Sequence, residues 1–390
     1  MLNFEFWNGT KLYFGKETEA RAGELVKNYA SKALVCCYGT KSTIGVVENT
    51  LKQLEENGVE YKTLSGIKPN PELAKVNEGI DLVRDNDLGF ILAIGGGSVV
   101  DTAKAIAAGV YYEGDVWDLY AKKAGFEKAL PTGVLLSFPA AGSESSNGSV
   151  ITNEETHQKL AIVDDCLRPA FAILNPELTF TLPAYQTFCG VVDIMSHVME
   201  RYFSSTTYTD LTDKLCEAVL RSVIKNALLL LDSPADYNAR AEIMLASTIA
   251  HNDLLGVGRT QDWGSHNIGM VISGIYGSTH GATLSVITPA WAKYIYKHNV
   301  DRFAQFAVRV FDIEYDFMDP ENTAMEGIIA LEAFFKRIGI PTELEELGIT
   351  DDSRFDEMAD LYELGGFAGD IVQIKKDDFV NILKLARKDG

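Results

Sequence analysis

Between residues 33 and 183, short apolar runs alternate with stretches of helical period. ALVCCYG (33–39) is an apolar run that ends at glycine, as a buried parallel strand does. A helical stretch follows over 43–57 and closes at Asn57-Gly58, and VEYKTLSG then reads as strand and turn. Pro71 marks the start of a helix over 71–85. LGFILAIGGGS (88–98) is a buried strand running into glycines, VVDTAKAIAAGV is a helix of small residues, and TGVLLSFPAAGSE (132–144) repeats the strand-then-loop plan. This alternation predicts an α/β domain built on a mostly parallel sheet.

After Leu182-Pro183 the pattern changes. Segments 184–203, 209–231, 236–255, 261–275 and 281–298 are long and helically patterned, and the tail from 300 to 390 continues so, with VNILKLARK as its last helix. A boundary near 183 therefore divides the chain into an α/β domain (1–183) and an all-helical domain (184–390). No flexible linker and no internal repeat intervenes, so two closely packed halves with a ligand cleft between them are expected.

Composition narrows the partners rather than the fold. The chain has 390 residues, ample for two domains, with 35 basic against 55 acidic side chains, a net charge of −20. So acidic a surface repels nucleic acid and anionic lipid. The five cysteines are scattered with no C-x-x-C, which reads as reduced thiols. No apolar stretch reaches roughly 18 residues and the N-terminus lacks a secretory pattern, so a cytoplasmic protein is expected.

Chemistry concentrates in GVVDIMSHVMERYF (190–203). Asp193 and His197 stand four residues apart, so one helix face presents a carboxylate and an imidazole together. Val191, Val192, Ile194, Met195 and Val198 make the segment apolar on most sides, and a buried carboxylate needs a partner. Either His197 alone or a metal supplies it. His266 and His280 follow downstream, and two more imidazoles would complete a three-nitrogen, one-oxygen set. That set suits Fe²⁺ or Zn²⁺ and is too nitrogen-rich for Ca²⁺ or Mg²⁺. Cys189, one turn before Asp193, reads as packing; His157, His251 and His298 read as surface or packing histidines; Asp262 and Trp263 are placed to start the helix of His266.

GGGSVVD (95–101) follows a strand and opens a helix, where glycines admit a close ligand and free N–H groups attract phosphate oxygens. It is neither G-x-G-x-x-G nor a P-loop. A second polar loop, Tyr38-Gly39-Thr40-Lys41-Ser42, follows the first strand. An acidic residue at such a position would bond the ribose hydroxyls. None is present, and the hydroxyls and cation there favour NADP(H) over NAD(H).

Taken together, GGGSVVD, FPAAGSE, GVVDIMSHVMERYF, QDWGSHNIG and STHGA resemble the iron-containing alcohol dehydrogenase family, and within it the butanol dehydrogenase and NADPH-dependent aldehyde reductase branch. The resemblance runs from FWNGTKLYFGK to the last helix. It implies a Rossmann-like dinucleotide-binding α/β domain, an all-α metal-binding domain, interconversion of primary alcohols and aldehydes, and a homodimer. It implies Asp193, His197, His266 and His280 as ligands of a divalent metal, Fe²⁺ or Zn²⁺, and Gly95, Gly96, Gly97, Ser98 and Asp101 as the cofactor phosphate loop. Ser143 and Lys159 match positions lining the cofactor site, and Gly39 and Ser42 match the branch using the phosphorylated cofactor.

Two positions depart from the family. Relatives usually carry a histidine four residues after the third ligand, where this chain has Met270, and a threonine where it has Ala141. A thioether carries no proton at neutral pH, so a proton relay there would need water or a hydroxyl. Two other readings remain open at this level: a metal- and NAD-dependent lyase or cyclase related to dehydroquinate synthase, and an NADP(H)-binding protein whose catalytic site has decayed.

Overall fold

The computed structural model describes residues 1–39 and 44–388. The chain divides into two compact units, Trp7–Pro183 with Ala235–Asn252, and Met1–Phe6 with Ala184–Pro234 and Asp253–Gly390.

The first unit holds strands β1 (Lys11–Phe14), β2 (Lys32–Cys37), β3 (Glu60–Leu64), β4 (Phe90–Gly96), β5 (Thr132–Phe138), β6 (Gly148–Asn153), β7 (Gln158–Val163) and β8 (Phe171–Leu174). Six of them form one sheet in the order β1-β8-β5-β4-β2-β3, and every pairing in it is parallel. The expected parallel α/β architecture is present. The pattern reading passed over the edge strand β1, its inner neighbour β8 and the antiparallel hairpin β6–β7.

Helices α1 (Ala22–Lys27), α2 (Ile44–Glu56), α3 (Leu73–Asp85), α4 (Gly97–Gly109) and the short α5 (Trp117–Tyr120) accompany the strands. Alternation along β2 explains how both sheet faces are covered. Ala33, Val35 and Cys37 join a core with Leu25 and Val26 of α1 and Val47 and Leu54 of α2. Leu34 and Cys36 join another with Val76 and Ile80 of α3 and Ala103 and Ile106 of α4. The chain runs from β2 out to β3 and then returns across β2 to β4, so strand order reverses between β2 and β4. Ligands of such sheets bind beyond the carboxyl ends of the strands at that reversal. Helix α3 starts two residues after Pro71, where the Glu154 carboxylate accepts the amides of Leu73 and Ala74 at 3.0 and 3.2 Å.

The second unit is helical: α6 (Ala184–Tyr202) and α7 (Asp210–Asp232) come first. Helix α8 (Tyr237–Ala250) lies in the first unit, and the second resumes with α9 (Gly264–Tyr276), α10 (His280–Ile295), α11 (Val300–Phe311), α12 (Pro320–Arg337), α13 (Phe355–Gly365) and α14 (Lys376–Leu385). In α6 every residue from Thr187 to Tyr202 is buried, as expected of a segment apolar on most sides. Among the described residues no helix is long and apolar enough to cross a membrane, and all five cysteines are free thiols.

Candidate metal centre and cofactor loop

Asp193 and His197 share one face of α6, and Glu200 continues that face a turn further on. All three are buried, at 5%, 5% and 2% exposure. His197 Nδ1 lies 2.9 Å from the Asp193 carbonyl and 3.2 Å from Asp193 Oδ1. The carbonyl only accepts, so Nδ1 carries the hydrogen and Nε2 keeps its lone pair.

His266 comes from the first turn of α9. That helix starts from Trp263, a non-glycine residue in the left-handed region at φ 64°. The strain is held in place by its neighbours. Asp262 Oδ1 accepts the Gly264 amide at 2.9 Å, and Oδ2 accepts the amides of Asp370 and Ile371 at 2.8 and 3.1 Å. Burial, reinforced by the charge of Glu200, pushes the Asp262 carboxyl up to about 7. Asp262 and Trp263 thus set the start of α9, as expected. His280 is the first residue of α10.

Asp193, His266 and His280 each offer one ligand atom, and these atoms all lie within 4.8 Å of one another. His197 stands beside this trio with its ring centroid 4.4 Å from that of His266, and the His266 and His280 rings are 5.0 Å apart. One carboxylate and clustered imidazoles in a mostly buried setting fit a divalent ion such as Fe²⁺ or Zn²⁺. The Trp263 ring walls the cluster, 5.3 Å from His266 and 5.9 Å from His197, with the Arg201 guanidinium 5.0 Å from its ring centroid. Cys189 is buried, its thiol pushed up to about 12 chiefly by that burial, and it packs one turn before Asp193. Met270 lies one turn beyond His266 and is half-buried.

Sequence reading passed over Glu200. Its Oε1 accepts from Ser265 Oγ at 2.7 Å and the His266 amide at 3.0 Å, and its Oε2 accepts the Trp263 amide at 2.7 Å. His266 Nδ1 is 3.3 Å from Oε1. Burial raises this carboxyl and the donors around it oppose the rise. The available signal was its place three residues after His197 in a run too apolar to be a surface.

In the first unit, Gly95 and Gly96 end β4, while Gly97 and Ser98 open α4. The glycines are required by close approach. A Cβ on Gly95 would stand 2.5 Å from Val99 Cγ2, and one on Gly96 2.9 Å from Phe138 Cβ. The Tyr38 hydroxyl, pushed up to about 12 by burial, bonds the Gly96 backbone and the Ser98 side chain. It thereby ties the end of β2 to the start of α4. Gly39 follows in the left-handed region at φ 72°. So Gly39 and Gly95–Ser98 gather at the reversal of strand order. Thr40, Lys41 and Ser42 lie outside the described residues.

Asp101 turns to Ser143, whose Oγ donates to it at 2.6 Å. Burial raises the Asp101 carboxyl, and Lys104 and Ser143 oppose the rise. Lys159 Nζ donates to Asn70 Oδ1 at 2.8 Å. Lys104, another residue the sequence reading passed over, is fully buried. Its Nζ meets the carbonyls of Ser143, Ser146 and Gly148 at 2.6, 2.9 and 2.9 Å. Ala141 stands at the mouth of the glycine loop, where a Cβ on Gly97 would lie 3.3 Å from Ala141 Cβ.

The family model "Iron-containing alcohol dehydrogenase" matches residues 9–176, and "Fe-containing alcohol dehydrogenase family, C-terminal" matches residues 187–387. The chain is 38% identical to NADH-dependent butanol dehydrogenase A of Clostridium acetobutylicum over 98% of its length and 99% of that protein. It is 33% identical to the NADPH-dependent aldehyde reductase YqhD of Escherichia coli, over 90% of its length and 91% of that protein. The crystal structure of NADH-dependent butanol dehydrogenase A from Thermotoga maritima superposes with a TM-score of 0.95 at 37% identity, covering 100% of this chain and 99% of that one. The chain therefore belongs to the iron-containing alcohol dehydrogenase family, in its butanol dehydrogenase branch, and is an alcohol and aldehyde oxidoreductase.

Proposed function

We propose that this enzyme interconverts short primary alcohols and their aldehydes, with Asp193, His197, His266 and His280 holding a divalent metal, Fe²⁺ before Zn²⁺. The observation that carries this reading is the convergence of Asp193, His266 and His280 within 4.8 Å. When bound, the metal supplies a Lewis acid for the substrate oxygen and the nicotinamide supplies or accepts the hydride.

The protein's own residues do the rest. His197 is aimed by its hydrogen bond to the Asp193 carbonyl, which leaves Nε2 as the donor atom. The Trp263 ring shields the imidazoles on one side. The α/β unit, 1–183 apart from the first six residues and joined by Ala235–Asn252, is the cofactor domain, and the rest of 184–390 is the metal domain in this reading. The N–H groups at the start of α4, from Gly97 and Ser98, suit the cofactor phosphates, with Gly95 and Gly96 letting the end of β4 pack against Val99 and Phe138 beside them. Gly39, Thr40, Lys41 and Ser42 form the second loop. Asp101 belongs to the phosphate loop and Ser143 and Lys159 line the cofactor site in this reading, with Ser143 bonded to Asp101. Met270 cannot relay a proton, so water or a hydroxyl carries it.

NADP(H) is preferred over NAD(H) in this reading, because the loop after β2 has a cation, Lys41, and no acidic side chain. The relatives named above divide between the two cofactors. A cytoplasmic homodimer completes the proposal.

The test is metal content together with NADPH consumption on butanal, with NADH run in parallel. His280→Ala should lose both metal and rate. Full activity in that variant would refute the ligand set, and a higher kcat/KM with NADH would refute the cofactor preference.

A further inference from the structure

We propose that Glu200 is the positioning residue of the metal centre, holding His266 with its Nδ1 protonated and its Nε2 turned toward Asp193. The inference rests on the reading that these side chains hold a metal, and it adds a residue outside that ligand set.

The groups within hydrogen-bond reach of the Glu200 carboxylate are all donors or can be one. Ser265 Oγ, the His266 amide and the Trp263 amide reach its two oxygens at 2.7, 3.0 and 2.7 Å. The fourth neighbour, His266 Nδ1, is 3.3 Å from the oxygen that also takes the His266 amide. A carboxylate only accepts, so Nδ1 is the nitrogen that carries the hydrogen. The lone pair is then on Nε2, which lies 3.8 Å from Asp193 Oδ1. A metal-ligating imidazole whose other nitrogen donates to a carboxylate is fixed in tautomer and in ring orientation.

Glu200 grips the backbone as well as the ring. The Glu200 carbonyl accepts the Asp262 amide at 2.9 Å, so the chain from Asp262 to His266 is pinned along this one residue. The same residue therefore sets where α9 begins and how the His266 ring is turned. Because Glu200 lies on the α6 face that carries Asp193 and His197, the ring of His266 is referenced directly to the helix bearing those groups. A plain helix cap would satisfy amides without regard to the ring.

Glu200→Gln separates these roles. An amide would bring an NH₂ group against a ring of donors, leaving one acceptor for neighbours that need two. Zn²⁺ affinity, measured by competition with a chromophoric chelator, should fall about 10–100-fold, the usual effect of removing such a partner. Circular dichroism of the metal-free variant should still show the helical fold. Ser265→Ala removes one donor to Glu200 and leaves the ring contact, so it should lose stability and keep near-wild-type Zn²⁺ affinity. Wild-type Zn²⁺ affinity in folded Glu200→Gln overturns the proposal.

A measurement on the unaltered chain decides the matter even where Glu200→Gln fails to fold. Long-range ¹H–¹⁵N spectra of the metal-free wild-type protein, with His266 assigned by its loss in His266→Asn, should show the Nδ1–H tautomer. An Nε2–H tautomer overturns the proposal. If wild-type protein bound no Zn²⁺ at all, the ligand reading would fail, whereas the tautomer would still judge Glu200.

Discussion

The backbone carbonyl of Cys189 lies so close to Gly281 that a Cβ there would stand 2.0 Å from the oxygen. This contact presses the first turn of α10 against α6 one turn before Asp193, and it sets His280 opposite that carboxylate. Gly281→Ala must move backbone rather than a flexible side-chain tip. The metal-free protein should lose about 1–3 kcal/mol by denaturant titration. Bound metal per chain should fall with it. A variant that keeps wild-type stability and metal content would show that the two helices do not need this approach.

Lys104 is expected to hold the loop 143–148 in place. Its ammonium serves three carbonyls, two of them buried, and it also opposes the burial cost of Asp101. Lys104→Met would leave those oxygens without their donor and Asp101 without its nearby cation. Stability should drop by about 3–5 kcal/mol, the range for breaking one side of a buried ionic contact. Because Ser143 bonds Asp101 in the helix that follows the glycine loop, KM for the cofactor should rise more than kcat falls. Urea titration and steady-state kinetics check the two effects separately.

Met270 lies one turn from His266 and is half-buried, and its thioether carries no transferable proton. If proton transfer limits turnover, Met270→His should raise kcat, within the ~10²–10⁴-fold that positioned acid–base groups contribute. The gain should appear with a new pH dependence in the imidazole range. An unchanged kcat would mean that the proton already leaves by another path.

The acid limb of stability should depend on Asp213. Burial alone would raise this carboxyl, but Arg302 and Arg259 overcome it and hold it below its ordinary value. Both guanidinium groups stand 2.7 Å from its oxygens. A folded value below the unfolded one means that the folded chain binds fewer protons there. The stabilisation is then complete above about pH 4, the ordinary carboxylate value, and is lost as pH falls through the depressed folded value. Asp213→Asn should destabilise the protein by about 3–5 kcal/mol at neutral pH. The gap to wild type should narrow on acidification, as followed by urea titration across pH.

Much of this enzyme was local, and local order is what a one-dimensional pattern carries. Strand-then-glycine runs marked β2 and β4, and the four-residue spacing of Asp193 and His197 put both on one face of α6, because a helix repeats every 3.6 residues. The hairpin β6–β7 escaped because its strands, GSVITN and QKLAIV, lack the regular apolar/polar alternation that marks a half-buried strand, and they lie outside the main sheet. Lys104 escaped because a lysine in a small-residue helix reads as a solvated charge until its carbonyl partners, some forty residues on, fold over it.

What only the tertiary structure decided are the meetings between distant segments. His266 and His280 open two different helices, and their approach to Asp193 depends on Glu200 anchoring α9 and on Gly281 letting α10 touch α6. The reversal of strand order between β2 and β4, which gathers Gly39 with Gly95–Ser98, follows from which strands pair. Side-chain periodicity constrains a segment's faces and leaves its neighbours open, since packing partners are chosen by shape and hydrogen-bond demand across the whole chain.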